Sequence, residues 1–458
     1  MPFKTIIEPF KIKSVEPIHI STEEERKAYL KKANYNPFLL TSDQVIIDFL
    51  TDSGTSAMSA HQWAGIMEGD EAYAGSESWL RMEHVVQNLT GFEHILPTHQ
   101  GRAAERILYG NIGGQGKIFI SNTHFDTTRA NIEVTGAEAI DIPITESKVA
   151  SLLHPFKGNM DVSQLKQLLE EHGKNVAAVI LTVTNNSGGG QPVSMANVRA
   201  VSELCEEYGV LYILDCCRIA ENAYFIKHRE AGFENHTYEA IAQEMFRLTD
   251  GAIMSAKKDA LVNMGGFLAV KDTELWEACK NTLIIGEGFN TYGGLSGRDM
   301  EAIAIGLKEV FDPNYLKYRI KSTTYLGEKL HELGIPLMLP IGGHAVYIDA
   351  KAMYPHIPVD QYPGQALAGE MYLKGGIRAA EIGSAMFGKY DENHNLIPHT
   401  MELVRLAIPR RVYTQSHIEY VIEVFEKLME DKESVKGYKI TSEPKFLRHF
   451  SAHFEPVG

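Results

Sequence analysis

The chain has 458 residues, 44% hydrophobic and 22% charged, with a formal net charge of −15. That length and composition predict roughly two or three globular domains. The acidic balance, with no long basic tract, excludes a surface dedicated to nucleic acid or to anionic membranes.

Residues 1–11 have neither a long apolar core nor a cleavage pattern, so no signal peptide is expected. No apolar run reaches the length of a membrane span, and a cytoplasmic location is the expectation. From about residue 95 to 270, short apolar runs alternate with amphipathic segments. Residues 117–121 read as a strand. The near-continuous apolar run 176–183 suits a strand buried on both faces. Val201, Leu204, Cys205 and Tyr208 follow at helical spacing, and Gly209 ends that helix. Residues 210–214 are again a strand, reaching Asp215; a helix over 238–248 leads into a strand at 251–255. This repetition predicts a doubly wound α/β domain with a mostly parallel sheet. Beyond about residue 310, helical stretches (315–333, 365–374, 417–429) alternate with shorter strands (345–349, 404–408), predicting a smaller α+β domain. The expected boundaries are 1–49 for an N-terminal arm with part of the small domain, 50–310 for the large domain and 311–458 for the rest.

Two lysines, Lys257 and Lys258, close the 251–255 strand. An unpaired ammonium is costly to bury. Either both are solvated, or one is a nucleophilic amine whose pKa is depressed by a neighbouring cation. In open α/β sheets ligands bind beyond the carboxyl ends of the strands. Those ends carry Asn185 and Asn186, Asp215 and Arg218, Ser255 with the lysines, and His124-Phe125-Asp126. The set suits pyridoxal phosphate held by a lysine. Asp215 would keep the ring nitrogen protonated, Phe125 would stack on the ring, and Asn186 and Arg218 would bind its hydroxyl. Asp215 as a helix cap and Phe125 as a core residue are the structural alternatives. For the phosphate, residues 98–105 form a turn running into a helix, where free N–H groups and the dipole favour an anion. Gly101 permits close approach; Gln100, Arg102 and Ser255 offer donors.

Other patterns fail. Residues 111–118 lack the first glycine of a P-loop and carry Ile118 in place of its Ser or Thr. Residues 185–190 are not spaced as a dinucleotide fingerprint, and the histidines show no metal-ligand spacing. The four cysteines, Cys205, Cys216, Cys217 and Cys279, form neither a disulfide framework nor a zinc pattern, which suits a reducing compartment.

With these residues in place, the chain resembles the β-eliminating lyases, fold-type I pyridoxal-phosphate enzymes with branches acting on tryptophan and on tyrosine. The motifs lie at 50–55, 69–75, 98–102, 189–194, 221–227, 254–259, 342–345 and 405–410, and the resemblance runs from Glu8 to Phe450. It implies an aspartate aminotransferase-like large domain, with Lys258 as the Schiff-base lysine. Arg405 would bind the substrate carboxylate with Ser53 and Asn186 assisting. Tyr73 would be the general acid near the leaving group, and Tyr292 would lie beside the cofactor. A potassium-like monovalent cation would sit at Glu71 and the carbonyls of Gly54 and Asn263. A homotetramer is implied, with no nucleic-acid or membrane partner.

Three positions separate the branches. Asp126 follows Phe125 where phenol-lyases carry Thr; His449 stands in Arg448-His449-Phe450 where they carry Phe; Ile382 stands where they carry an Arg serving the phenol hydroxyl. An indole N–H needs an acceptor and its benzene ring an apolar wall. The expectation is therefore β-elimination of tryptophan to indole, pyruvate and ammonium, with tyrosine phenol-lyase activity and aminotransfer as alternatives. One departure is the pair Cys216-Cys217, where the family has small residues. It reads as apolar packing, or alternatively as a point of oxidation sensitivity.

Overall fold

The apolar run at 176–182 lies where both faces are covered. The strand Val176–Thr182 pairs in parallel with Ile118–Ser121 on one side and Leu211–Asp215 on the other. These strands belong to a seven-stranded sheet ordered His94–Thr98, Gly266–Val270, Gly251–Ser255, Leu211–Asp215, Val176–Thr182, Ile118–Ser121, Glu138–Asp141. Gly266–Val270 is antiparallel to both neighbours, and the remaining pairs are parallel. The computed structural model describes residues 6–393, 395–445 and 447–458. Residues 1–5, part of the stretch read for a signal peptide, lie outside the described residues.

The chain divides into two units. The first joins Ser53–Ser147 with His154–Lys317 and contains this sheet. Its helices start and stop at the expected chemistry. Met195–Tyr208 opens on Ser194, whose hydroxyl accepts from the Asn197 N–H, and closes at Gly209 with φ +62. Tyr238–Arg247 opens on Thr237 in the same way. The core under the sheet gathers Phe119, Ile180, Ile213, Ile253 and Leu268 against Ile107 and Leu108 of the helix Gly101–Ile112. Both edge strands escape the sequence reading for a physical reason. Pro97 interrupts His94–Thr98, which an edge tolerates because one side needs no N–H donors; Glu138–Asp141 exposes polar side chains.

The second unit comprises the segment ending at Asp52, Lys148–Leu153 and Tyr318–Gly458. Its sheet runs Ile47–Phe49, Ile377–Ile382, Leu403–Ala407, Ala345–Asp349, parallel in the first pair and antiparallel in the others. Val346, Ile348, Val404 and Leu406 meet Leu367 and Met371 of the helix Pro363–Gly375 and Val421 and Phe425 of Gln415–Glu430. A mostly parallel α/β unit and a smaller α+β unit are the architecture expected from the sequence.

Candidate active site

In the α/β unit the candidate residues gather at the carboxyl ends of neighbouring strands. Asp215 ends its strand opposite Thr182 and Ile253, and its Oδ1 accepts from the Cys217 N–H at 3.3 Å. Gly251–Ser255 ends beside it and turns into Lys257 and Lys258, both half-buried. The turn is fixed on two sides: Gly54 N–H donates to the Lys257 carbonyl at 2.8 Å, and Leu261 N–H donates to the Lys258 carbonyl at 2.9 Å. Ser53 and Gly54 are thereby brought to the lysines, with Gly54 at φ +77 facing the Lys257 side-chain stem and the Asn263 carbonyl. Burial lowers the Lys257 pKa, and the cations Lys258 and Arg102 lower it further.

Cys216 and Cys217 join two strand ends. Cys216 N–H donates to the Ile253 carbonyl at 3.0 Å, and Ser255 N–H donates to Cys217 Sγ at 3.1 Å. Burial, with Asp215 adding to it, pushes the Cys217 thiol up to about 12. Arg218 is buried at the start of the helix Ile219–Arg229. Asn186 is buried in a turn where Gly189 and Gly190 adopt positive φ, and Gly190 N–H closes the turn onto the Asn185 carbonyl.

The turn expected to take a phosphate has features an anion needs. The helix Gly101–Ile112 begins at Gln100 with no side chain capping its N–H groups, unlike the Ser- and Thr-capped helices above. A Cβ at position 101 would come within 2.7 Å of Ser255 Cβ, so only glycine brings this helix start onto the serine. Arg102 is exposed beside it. Phe125, half-buried, is the cap residue of the helix Asp126–Glu133; Asp126 is buried, and its Oδ1 accepts from Thr127 N–H at 2.6 Å. Tyr73 is 72% exposed. Its ring lies 5.4 Å from Tyr292 and 5.8 Å from Phe289, and a hydrogen bond with Tyr292 raises its pKa. Of the proposed cation ligands, Gly54 faces the Asn263 carbonyl and its own carbonyl accepts from Asn263 Nδ2 at 3.0 Å; Glu71 pairs with Arg298 at 3.2 Å.

In the α+β unit, Arg405 is buried in its strand between Ala380 and Tyr347 and donates from Nη2 to the Leu50 carbonyl at 3.0 Å. Ile382 is buried at the end of the adjoining strand. His449 is buried, with its ring 4.0 Å from Phe450 and 5.5 Å from Phe38.

Among the described residues, buried charged groups given no role from the sequence include Glu105, Glu381, Glu402 and Arg410. The available signal was a charge in an apolar stripe, as for Glu105 between Ala104 and Ile107. Burial raises both Glu381 and Glu402, and the two carboxyls crowd the same residue, Gly383.

A mostly parallel sheet with a lysine, an aspartate and an uncapped helix start at its strand ends defines a fold-type I enzyme architecture. Bna3p of Saccharomyces cerevisiae superposes with a TM-score of 0.63 at 15% identity, over 89% of this chain and 95% of that one. The model of the β-eliminating lyase family matches residues 48–424, and the chain belongs to that family. It is 59% identical to the tryptophanase of Salinibacter ruber over 99% of this chain and 96% of that one. It is 48% identical to the tyrosine phenol-lyase of Pasteurella multocida over 98% of each.

Proposed function

We propose that this chain binds pyridoxal phosphate and cleaves tryptophan, with water, to indole, pyruvate and ammonium. The observation carrying the cofactor is the uncapped helix start at Gln100 and Gly101, packed on Ser255 beside the lysine turn. Asp126, buried directly after the half-buried Phe125, supports tryptophan, because an indole N–H needs an acceptor.

Bound there, the cofactor supplies an electron sink for charge developing at the substrate's α-carbon. Lys258 would hold it covalently, and its ε-amine would take the substrate's α-proton. Lys257 is a supporting cation. Asp215 keeps the proton on the ring nitrogen, Arg218 and Asn186 bind the ring hydroxyl, Phe125 covers a ring face, and Gln100, Gly101, Arg102 and Ser255 hold the phosphate. Tyr292 stands beside the ring. Arg405 takes the substrate carboxylate through a bidentate guanidinium, assisted by Ser53 and Asn186. Indole leaves poorly as a carbanion, so Tyr73 delivers a proton to C3 while Asp126 accepts from the indole N–H. His449 and Ile382 belong to the leaving-group side, Ile382 as apolar wall.

A potassium-like cation at Glu71, Gly54 and Asn263 belongs to the same proposal and requires Glu71 to exchange its Arg298 partner. So does a homotetramer: Tyr73, Trp63, Met67 and Ile285 expose large apolar area that a second copy of this chain would cover. No helix among the described residues is long and apolar enough to cross a membrane, and a cytoplasmic enzyme is the proposed setting.

Purified protein in potassium buffer should be yellow and release indole from tryptophan. Lys258→Ala should lose the visible band while Lys257→Ala keeps it. A colourless wild-type protein, or a band that follows Lys257, would overturn the assignment.

A further inference from the structure

Glu105 is a buried carboxyl that the proposed reaction does not use. It lies one turn into the helix Gly101–Ile112, whose neighbouring residues Ala104, Ile107 and Leu108 enter the core. Burial raises its pKa to about 7; Thr128, Asn131 and Lys258 oppose the rise and Asp215 adds to it. A buried carboxyl is costly unless its oxygens are matched, and here both are matched by a single helix. Thr128 Oγ1 donates to Oε1 at 2.5 Å and Asn131 Nδ2 donates to Oε2 at 3.1 Å. These two residues, three apart, share a face of Asp126–Glu133. Asn131 Nδ2 also reaches the Arg102 carbonyl at 3.4 Å.

The same helix is held elsewhere by Asp141. That carboxylate accepts from Arg129 Nη2 at 2.6 Å, contacts His124 Nδ1 at 2.6 Å, and accepts from the His124 N–H at 2.8 Å. The short helix that begins at Asp126 is therefore pinned by two carboxylates, of which Glu105 alone comes from the helix that begins at the phosphate turn.

We propose that Glu105 is a positioning residue that couples the two sides of the site, fixing the helix that bears Asp126 against the helix whose start forms the phosphate turn. The inference rests on the reading of those places as leaving-group side and cofactor side. Removing the carboxyl should then loosen both at once. Glutamine should restore both, because its oxygen accepts from Asn131 while its amide donates to the Thr128 hydroxyl, which accepts as readily as it donates.

The test uses the full chain with Glu105→Ala, Glu105→Gln and Thr128→Val. Two quantities are read: the dissociation constant of apoenzyme for pyridoxal phosphate, and the ratio of turnover of tryptophan to that of S-methylcysteine, whose thiolate leaves without Asp126. Glu105→Ala should weaken cofactor binding and lower the ratio, each about tenfold, the scale of one lost buried hydrogen bond. Glu105→Gln should recover both to within about threefold, and Thr128→Val should lower the ratio in the same direction. Wild-type values in Glu105→Ala, or no recovery in Glu105→Gln, would overturn the proposal. If Glu105→Ala does not fold, Thr128→Val decides, and an unchanged ratio there overturns it. A wild-type protein that binds no pyridoxal phosphate would instead refute the reading of the site itself.

Discussion

Arg410 Nη1 and Asp52 Oδ2 form an ion pair at 2.8 Å with side chains 0% and 1% exposed. Arg319 approaches the same carboxylate at 3.9 Å, and Arg410 also reaches the Asp52 carbonyl at 3.3 Å. With Arg405 holding the Leu50 carbonyl, residues 50–52 are strapped to the strand Leu403–Ala407 and the turn after it. Removing one partner of a buried pair leaves the other charge unmatched, at about 3–5 kcal/mol. Asp52→Ala should therefore lower the denaturant-unfolding free energy of the α+β unit by that amount. A change below about 1 kcal/mol, the scale of an exposed pair, would show that the pair does not hold this strap.

In the proposed function, Asp126 serves only a leaving group that carries an N–H. Asp126→Ala should reduce indole release from tryptophan by about 10²-fold or more, the scale of one preorganised electrostatic contact. Elimination from S-methylcysteine should fall far less. Equal losses on the two substrates would remove the indole-specific role and leave Asp126 as the first residue of its helix.

Cys217 bears on oxidation sensitivity. The thiolate is the reactive form, and a thiol pushed up to about 12 by burial and by Asp215 stays protonated at neutral pH. With its sulfur accepting from Ser255 N–H, the packing role is the one its surroundings favour. Iodoacetamide at pH 8 should leave Cys217 unlabelled in native protein and label it after unfolding, read by peptide mass. Native labelling at the rate of a free thiol would reverse this.

Glu381 and Glu402 give the α+β unit a pH dependence of definite sign. Burial raises both carboxyls, so above the ordinary carboxylate range the folded unit binds more protons than the unfolded chain. Stability from these groups is complete at low pH and is lost as pH rises through their raised values. Glu402→Gln keeps an acceptor for Ser384 N–H and cannot ionise. Its thermal midpoint relative to wild type should rise steadily between pH 5 and pH 8, as pH passes from the ordinary carboxylate range through the raised value of about 7 for Glu402. A constant difference would mean that Glu402 does not titrate there.

Much of the site was legible because periodicity marks where a strand ends. The runs before Asp215 and Ser255 are apolar enough that the first polar residue after each had to stand at the sheet's carboxyl edge, with Lys257 and Lys258 just beyond. Contacts between distant residues were not legible. Asp52 and Arg410 are 358 residues apart in sequence, and Gly54 N–H on the Lys257 carbonyl depends on how far segments pack. Neither periodicity nor capping carries that information. Glu105 was readable as a charge in an apolar stripe, but its partners Thr128 and Asn131 lie on another helix. Glu138–Asp141 was hidden because a strand at a sheet edge exposes polar side chains and loses its apolar signature.

The claim that this fold and site cleave tryptophan is tested most directly by competition. Holoenzyme in potassium buffer is given equimolar tryptophan and tyrosine at concentrations below saturation, and indole and phenol are quantified together by chromatography. The account predicts that indole accumulates in large excess, with pyruvate formed in equal amount. Phenol as the main product, or loss of tryptophan without indole, would contradict it.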